Sequence, residues 1–265
     1  MSGYAATDAL ALATDAARAA GALLLELRRS PATGVRSKSS ATDLVSEADE
    51  RAERAIATAI RERRPDDSLV AEEGSSASGS SGVSWYIDPL DGTINYLYGI
   101  PQWAVSICCA DSAGPLAAVV FDPLRAELFR ATRGGGAWLG EQRLAVTDKR
   151  ELASALIATG FGYDAAQRAT QGRILANVMG DVRDVRRAGA ASLDLAFVAA
   201  GRLDGYFESV DKPWDWMGGA MLVREAGGRV TELTPADPAF PRIIGSGVGI
   251  HDRLLALIHR ATSSL

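Results

Sequence analysis

A chain of 265 residues, 47% hydrophobic and 23% charged, is long enough to bury a core without disulfide or metal staples and long enough for about two domains. Its 28 basic and 33 acidic residues leave a net charge of −5, which argues against a general nucleic-acid binder. An anionic substrate is still open to it, because a bound metal ion reverses the sign of a site locally.

The first basic residue is Arg18, and the longest apolar stretches, such as 19–25, are too short to cross a bilayer, so neither a signal peptide nor a membrane segment is expected. Residues 7–29 then read as an amphipathic helix with Leu10, Ala13, Ala17 and Leu24 on one face, Thr7 or Asp8 as cap, and Arg28 and Arg29 at its end. Pro31 and Gly34 break the chain before a second helix over 43–64, with Asp43 as a possible cap and a face of Leu44, Ala48, Ala52, Ala55, Ile56 and Ile60. A short strand is expected over 68–71, and the Ser- and Gly-rich stretch 74–84 reads as a loop within a domain. Residues 85–87 form a strand that Asp88 and Pro89 stop. From Val105 to Leu144 the pattern is strand-rich, with a turn at 134–136. Cys108 and Cys109 lie within it; neighbours on a strand point to opposite faces, so they do not pair, and the protein reads as reduced and cytoplasmic.

A strand over 156–159 opens the second part of the chain. Helices over 164–179, 191–200, 216–226 and 251–262 then alternate with strands over 182–185, 203–207, 229–233 and 242–245. This order suggests a layered α/β or α+β architecture, divided near residue 150 into an N-terminal half, 1–150, and a C-terminal half, 151–265, that together make one catalytic unit. His251 and His259 have no acidic or cysteine partner in pattern and read as surface residues.

The segment Trp85-Tyr86-Ile87-Asp88-Pro89-Leu90-Asp91-Gly92-Thr93-Ile94-Asn95 is the richest in chemistry. A turn at Pro89 lets Asp88 and Asp91 converge while the Leu90 side chain enters the core and its carbonyl faces the same point. All-oxygen donors suit a hard divalent cation such as Mg²⁺, and the N–H groups of Gly92 and Thr93, at a helix start, suit an anion. Together they describe a phosphate-ester site. Asp88 capping a turn and Asp91 capping a helix is the plainer alternative. Glu72 and Glu73 are two exposed acids at a loop start, or one of them is a further ligand. Asp215 is a helix N-cap, or a last carboxylate from the other half of the chain. Asp49, six residues after Asp43, is a solvated helix residue, or holds the Thr93 hydroxyl so that the pair orients a water. The chain has neither a phosphate-binding P-loop nor a nucleophile elbow, and Gly245-Ser246-Gly247-Val248-Gly249 lacks dinucleotide spacing.

Three blocks, Glu72-Glu73, the segment from Trp85 to Asn95, and Trp214-Asp215 with Gly227-Gly228, resemble the inositol monophosphatase family of metal-dependent phosphatases. The stretches VRSKSSATDLVSEAD, TGFGY and VRDVRRAGAASLDLAFVAAGRLDGYFE are similar to its bacterial, especially actinobacterial, SuhB-type members. The resemblance implies an α+β fold, the layered αβαβα sandwich of the sugar phosphatases. It implies Mg²⁺ dependence with two to three ions, lithium sensitivity and a homodimer. Glu72, Asp88, the Leu90 carbonyl, Asp91 and Asp215 match the metal ligands; Asp49, Thr93 and Glu72 match the catalytic set. Gly92 and Thr93 match the phosphate cradle. Gly189, Ala190, Ala191 and Glu208 match the sugar contacts, shared with Asp91 and Asp215, and Lys38 matches a basic position near the site. Ala71, Trp216, Met217 and Met221 depart from the usual pattern, the last three behind Asp215.

The expected reaction is hydrolysis of myo-inositol 1-phosphate, a small phosphorylated polyol, by metal-activated water. Histidinol phosphate or another sugar or nucleotide phosphate is the alternative substrate, with Arg186, Arg187 and Lys212 as candidates for a second phosphate. A phosphate-binding or protein-binding regulator is the alternative of another class. Neither nucleic acid nor membrane is an expected partner. The four acids sum to −4, which two Mg²⁺ cancel; unneutralised charges at such distances interact by ~4 kcal/mol at an effective dielectric near 20.

Overall fold

The computed structural model describes residues 5–30, 33–37, 44–263 and 265. Helix α1 (Ala6–Leu27) buries Ala9, Leu12, Ala13, Ala16, Ala17, Ala20 and Leu24, a stripe of mostly small residues at helical spacing. After the two-residue strands β1 (Arg36–Ser37) and β2 (Leu44–Val45) comes α2 (Glu47–Arg63), which buries Ala52, Ile56 and Ile60 and ends before Pro65. It starts four residues later than the expected 43 because Ser46 caps it: the Ser46 side chain accepts from Ala48 N, and Asp49 bonds back to Ser46 N, a capping box. Asp43 lies outside the described residues.

Strands β3 (Ser68–Ala71), β4 (Ser84–Asp91), β5 (Ala104–Asp111), β6 (Gly114–Asp122), β7 (Glu127–Thr132), β8 (Gly136–Leu139) and β9 (Gln142–Arg143) form one seven-stranded sheet in chain order. The short helix α3 (Thr93–Leu97) follows β4. A second sheet of five strands contains β10 (Leu156–Thr159), β11 (Asp184–Arg186), β12 (Gly205–Glu208), β13 (Arg229–Glu232) and β14 (Ile243–Ser246), in the order β11-β10-β12-β14-β13. Helices α4 (Ala165–Met179), α5 (Ala191–Ala199), α6 (Pro213–Glu225) and α7 (Val248–Ser263) complete the chain.

Both faces of the seven-stranded sheet are covered, which explains the unbroken apolar runs of β5 and β6. Val105, Ile107, Cys109, Ala117, Val119 and Phe121 pack with α1 and α2. Ala104, Cys108, Ala118 and Val120 point the other way, into a core shared with α5, α6 and the second sheet. Ile157, Phe207 and Ile244 on the far side of the second sheet pack with α4 and α7. The order is therefore helices, sheet, helices, sheet, helices: the expected αβαβα sandwich. The adjacent cysteines fall in two different cores, and burial pushes the Cys108 thiol up to about 12.

Two further expectations change. Helix α6 starts at Pro213, not at 216, so Asp215 lies within its first turn rather than capping it. His251 is buried, not at the surface: its ring sits between Ser246 Oγ (3.0 Å) and Thr231 Oγ1 (2.8 Å), because α7 begins at Val248 and turns this residue inward.

Candidate active site

Strand β4 does not stop at Asp88. It pairs Asp88 with Ser106 and Asp91 with Ala104, so Pro89 and Leu90 on one strand stand against Val105 alone on its neighbour. This is a β-bulge, and it resets side-chain parity. In a regular strand, residues three apart face opposite sides; here Asp88 and Asp91 both share the face of Ser106 and Ala104, towards the central helices. The Leu90 side chain, 1% exposed, goes to the opposite core with α1 and α2. Gly92 then turns the chain into α3 at φ 92°, where a Cβ would sit 2.9 Å from Gln102 O and 3.2 Å from Gly189 O.

Thr93 Oγ1 lies 2.8 Å from Asp49 Oδ1 and 3.1 Å from Leu90 O. The other Asp49 oxygen accepts from Ser46 N (2.9 Å) and Ser46 Oγ (2.6 Å). One buried carboxylate thus starts α2 and fixes the Thr93 hydroxyl. One turn further along, buried Glu53 accepts from Glu73 N (2.5 Å) and Ser75 N (2.7 Å), which holds the loop that carries Glu72.

Near these acids the second half meets the first through Asp91, Asn95 and Ser106. Asp91 accepts from Ala191 N (3.1 Å), Ser192 N (2.8 Å) and Ser192 Oγ (2.6 Å) at the start of α5. Asn95 Nδ2 donates to Ala188 O (2.9 Å) as well as to Gln102 O (2.7 Å), next to Gly189. Ser106 Oγ, on the face that carries Asp88, reaches Trp214 O at 3.5 Å and so brings the first turn of α6, with Asp215, to β5.

The acids feel one another. Burial, then Glu72, Asp91 and Asp215, raise the Asp88 carboxyl well above its ordinary range. Burial pushes Asp91 up to about 6 against its hydrogen bonds from α5, and burial with Glu72, Asp91 and Glu208 raises Asp215. Burial also lifts Glu208 to about 7, although Tyr206 Oη donates to its Oε2 at 2.9 Å. Asp194, buried in α5 with its Oδ1 unpartnered among the described residues, is raised by burial and by Glu208. All-oxygen donors, crowded enough to raise one another, have the chemistry of a divalent-cation site. As the side chains are turned, no three Asp, Glu, His or Cys residues among those described are grouped closely enough to hold an ion. Both Asp91 oxygens face α5, and Asp88 Oδ1 accepts from Leu90 N.

Of the residues singled out in the sequence, Thr93 bonds to Asp49 and lies against the Leu90 carbonyl, and Glu72, Asp88, Asp91, Asp215 and Glu208 share one electrostatic neighbourhood. Ala190 and Ala191 are the N-cap and first residue of α5, and Gly189 precedes them at φ 91°. Lys38 lies outside the described residues. Arg186 and Lys212 are exposed and paired with Asp184 and Asp211, while the Arg187 guanidinium lies over the Phe161 ring, near enough to act on Glu208. Ser46, Glu53, Ser192 and Tyr206 also bear on the site, and the sequence singles out none of them. Only Ser46 carries a local signal, the S-x-x-D capping pattern with Asp49; Glu53 and Ser192 act through contacts distant in sequence, and Tyr206 bonds to Glu208 two residues on, a pair without a recognised pattern.

A family model described as the inositol monophosphatase family matches residues 6–264. The Escherichia coli (strain K12) protein "Nus factor SuhB" is 43% identical over 227 residues, 85% of each chain. The Mycobacterium tuberculosis "Inositol-1-monophosphatase SuhB" is 42% identical over 236 residues, 85% of this chain and 81% of the other. Among solved structures, the extragenic suppressor protein suhB of Bartonella henselae superposes with a TM-score of 0.88 at 37% identity, covering 95% of this chain and 98% of the other.

Proposed function

We propose, from the premise that the chain belongs to the inositol monophosphatase family, that it hydrolyses myo-inositol 1-phosphate to inositol and phosphate with Mg²⁺ as cofactor. Phosphatase activity follows from the family; the substrate and the ion are our reading. The observation that carries it is the Thr93 hydroxyl, set 2.8 Å from Asp49 Oδ1 and 3.1 Å from the Leu90 carbonyl, beside the two inner-face aspartates of the β4 bulge.

Glu72, Asp88, the Leu90 carbonyl, Asp91 and Asp215 would hold two to three Mg²⁺ ions. When bound, such ions neutralise the acids, polarise the phosphate and lower the pKa of water. Thr93 Oγ1 donates its single proton to Asp49 Oδ1, so its lone pairs accept a hydrogen bond from the attacking water. As the water oxygen bonds to phosphorus, its proton passes through Thr93 Oγ1 towards Asp49 Oδ1. The ester P–O bond breaks, and the leaving alkoxide takes a proton from solvent. Gly92 and Thr93 N–H groups receive the phosphate oxygens, while Gly189, Ala190, Ala191 and Glu208 meet the alcohol hydroxyls.

The same reading takes the protein to be a lithium-sensitive, cytoplasmic homodimer; among the described residues no helix is long and apolar enough to cross a membrane. Phosphate release from inositol, histidinol, fructose and adenosine phosphates, with Mg²⁺, with EDTA, and with Mg²⁺ plus lithium, tests it. EDTA-sensitive release that favours inositol 1-phosphate is expected; release favouring another ester would overturn the substrate, and release unaffected by EDTA would overturn the cofactor. The name of the Escherichia coli relative supports a second role, binding to another protein, which a pull-down with a hydrolytically dead variant would detect.

A further inference from the structure

Strand β12 lies parallel to β10, with Ala158 beside Tyr206 and Thr159 beside Phe207. Gly160 follows the end of β10, and Glu208 is the last residue of β12. A Cβ on Gly160 would overlap the Glu208 carboxyl carbon and both of its oxygens. The φ of Gly160 is not positive, so its backbone does not itself demand glycine. What demands it is the space taken by the Glu208 head group. A second contact fixes that head group from its own strand: the buried Tyr206 Oη donates to Glu208 Oε2 at 2.9 Å. Glu208 Oε1 accepts no hydrogen bond from the described residues. The carboxylate is therefore held at one oxygen, pressed flat over a glycine, and left with the other oxygen as an acceptor.

We propose that Gly160 and Tyr206 form a seat that fixes the Glu208 carboxylate, and that this seat selects phosphate esters whose alcohol carries a hydroxyl donor at that place. Gly160 and Tyr206 are positioning residues, acting through Glu208. The inference rests on the reading above that Glu208 meets the substrate alcohol. An ester alcohol with a hydroxyl there gains a hydrogen bond to a fixed acceptor, charge-assisted once Glu208 has lost its proton. An alcohol with no donor gains nothing from this oxygen, and one with an acid there meets the like charge of Glu208.

The test uses the full chain with Mg²⁺ and two probes: inositol 1-phosphate, and p-nitrophenyl phosphate, whose leaving group has no hydroxyl to donate. The readout is the ratio of kcat/KM for the first to kcat/KM for the second. Gly160→Ala displaces the end of a flexible side chain rather than backbone, so the variant is expected to fold with a Tm close to that of the parent. Its ratio is expected to fall at least tenfold, mostly through a higher KM for inositol 1-phosphate. Tyr206→Phe, which keeps the ring and removes only the donor, is expected to lower the ratio about threefold and decides the matter should Gly160→Ala not fold. Glu208→Gln separates the two layers of the argument. A ratio lowered by Glu208→Gln but unmoved by both seat variants would overturn the seat and leave the reading of Glu208 standing. A ratio unmoved by all three would overturn that reading and the seat with it. Equal loss on both probes in the seat variants would mean general damage, and would also overturn the proposal.

Discussion

Thr93 shows how much a single hydroxyl carries. Its proton goes to Asp49 at 2.8 Å, and that carboxylate is itself pinned by Ser46. Thr93→Val keeps the shape and removes the oxygen, so kcat is expected to fall about 100-fold with little change in KM, measured by steady-state phosphate release. Glu208 makes a prediction in pH. Burial lifts its carboxyl from an ordinary 4.5 to about 7, so the folded protein retains a proton that the unfolded chain has released. The folded state is therefore favoured most below about 4.5, and that advantage is lost as pH rises to about 7. Glu208→Gln abolishes the titration. Its stability relative to the parent should rise across this window by up to ~2 kcal/mol, allowing for partial solvent exposure, as followed by thermal unfolding in EDTA. At this scale the sequence was informative for residue types: Asp88, Asp91 and Thr93 stand out because acids, Pro, Gly and Thr fall together in one segment, whereas Asp49 looks like a solvated helix residue and gains a role only through the family resemblance. Glu53 and Tyr206 did not stand out, because an acid on a helix and a tyrosine in a strand look ordinary until their partners 20 and two residues away are seen.

Elements place those residues. The capping box of α2 satisfies helix-start donors and aims Asp49 at Thr93. Ser46→Ala is expected to cost ~1 kcal/mol, about 2–4 °C in Tm, and to lower kcat as well, because the same change frees Asp49 to turn. A cap whose loss left kcat untouched would show that Thr93 alone suffices to hold Asp49. Helix periods in α1 and α2 and the apolar runs of β5 and β6 were legible because local spacing encodes which faces are buried. The bulge in β4 was not. Pro89 was read as the end of a strand, since it lacks an N–H for the ladder. Whether a ladder resumes after it depends on Ala104 and Ser106 of the neighbouring strand, which local sequence does not report. The early starts of α6 and α7 were missed for a similar reason: Pro213 and Val248 extend the helices into turns that tertiary packing completes.

Across the whole molecule, two sheets share one pair of helices, and the acids gather where the sheets and helices meet. Crowded carboxyl groups oppose folding until a cation joins them. Adding Mg²⁺ should therefore raise Tm, by an amount equivalent to ~2.7 kcal/mol at a hundredfold excess over Kd. Asp88→Asn should fold, lose turnover to background and lose most of this Mg²⁺ response; a parental response in the variant would remove Asp88 from the ligand set. The layering was legible from the order of elements, whereas the pairing of Asp91 with α5, a hundred residues on, was not. That pairing has a consequence for descent. Two of the three donors that Asp91 meets are main-chain amides, those of Ala191 and Ser192. A joint made of amides is indifferent to which side chains accumulate around it. The side chains that face the alcohol are thus free to diverge, provided that the same half keeps Asp215 and the Ser192 hydroxyl for the hydrolytic centre.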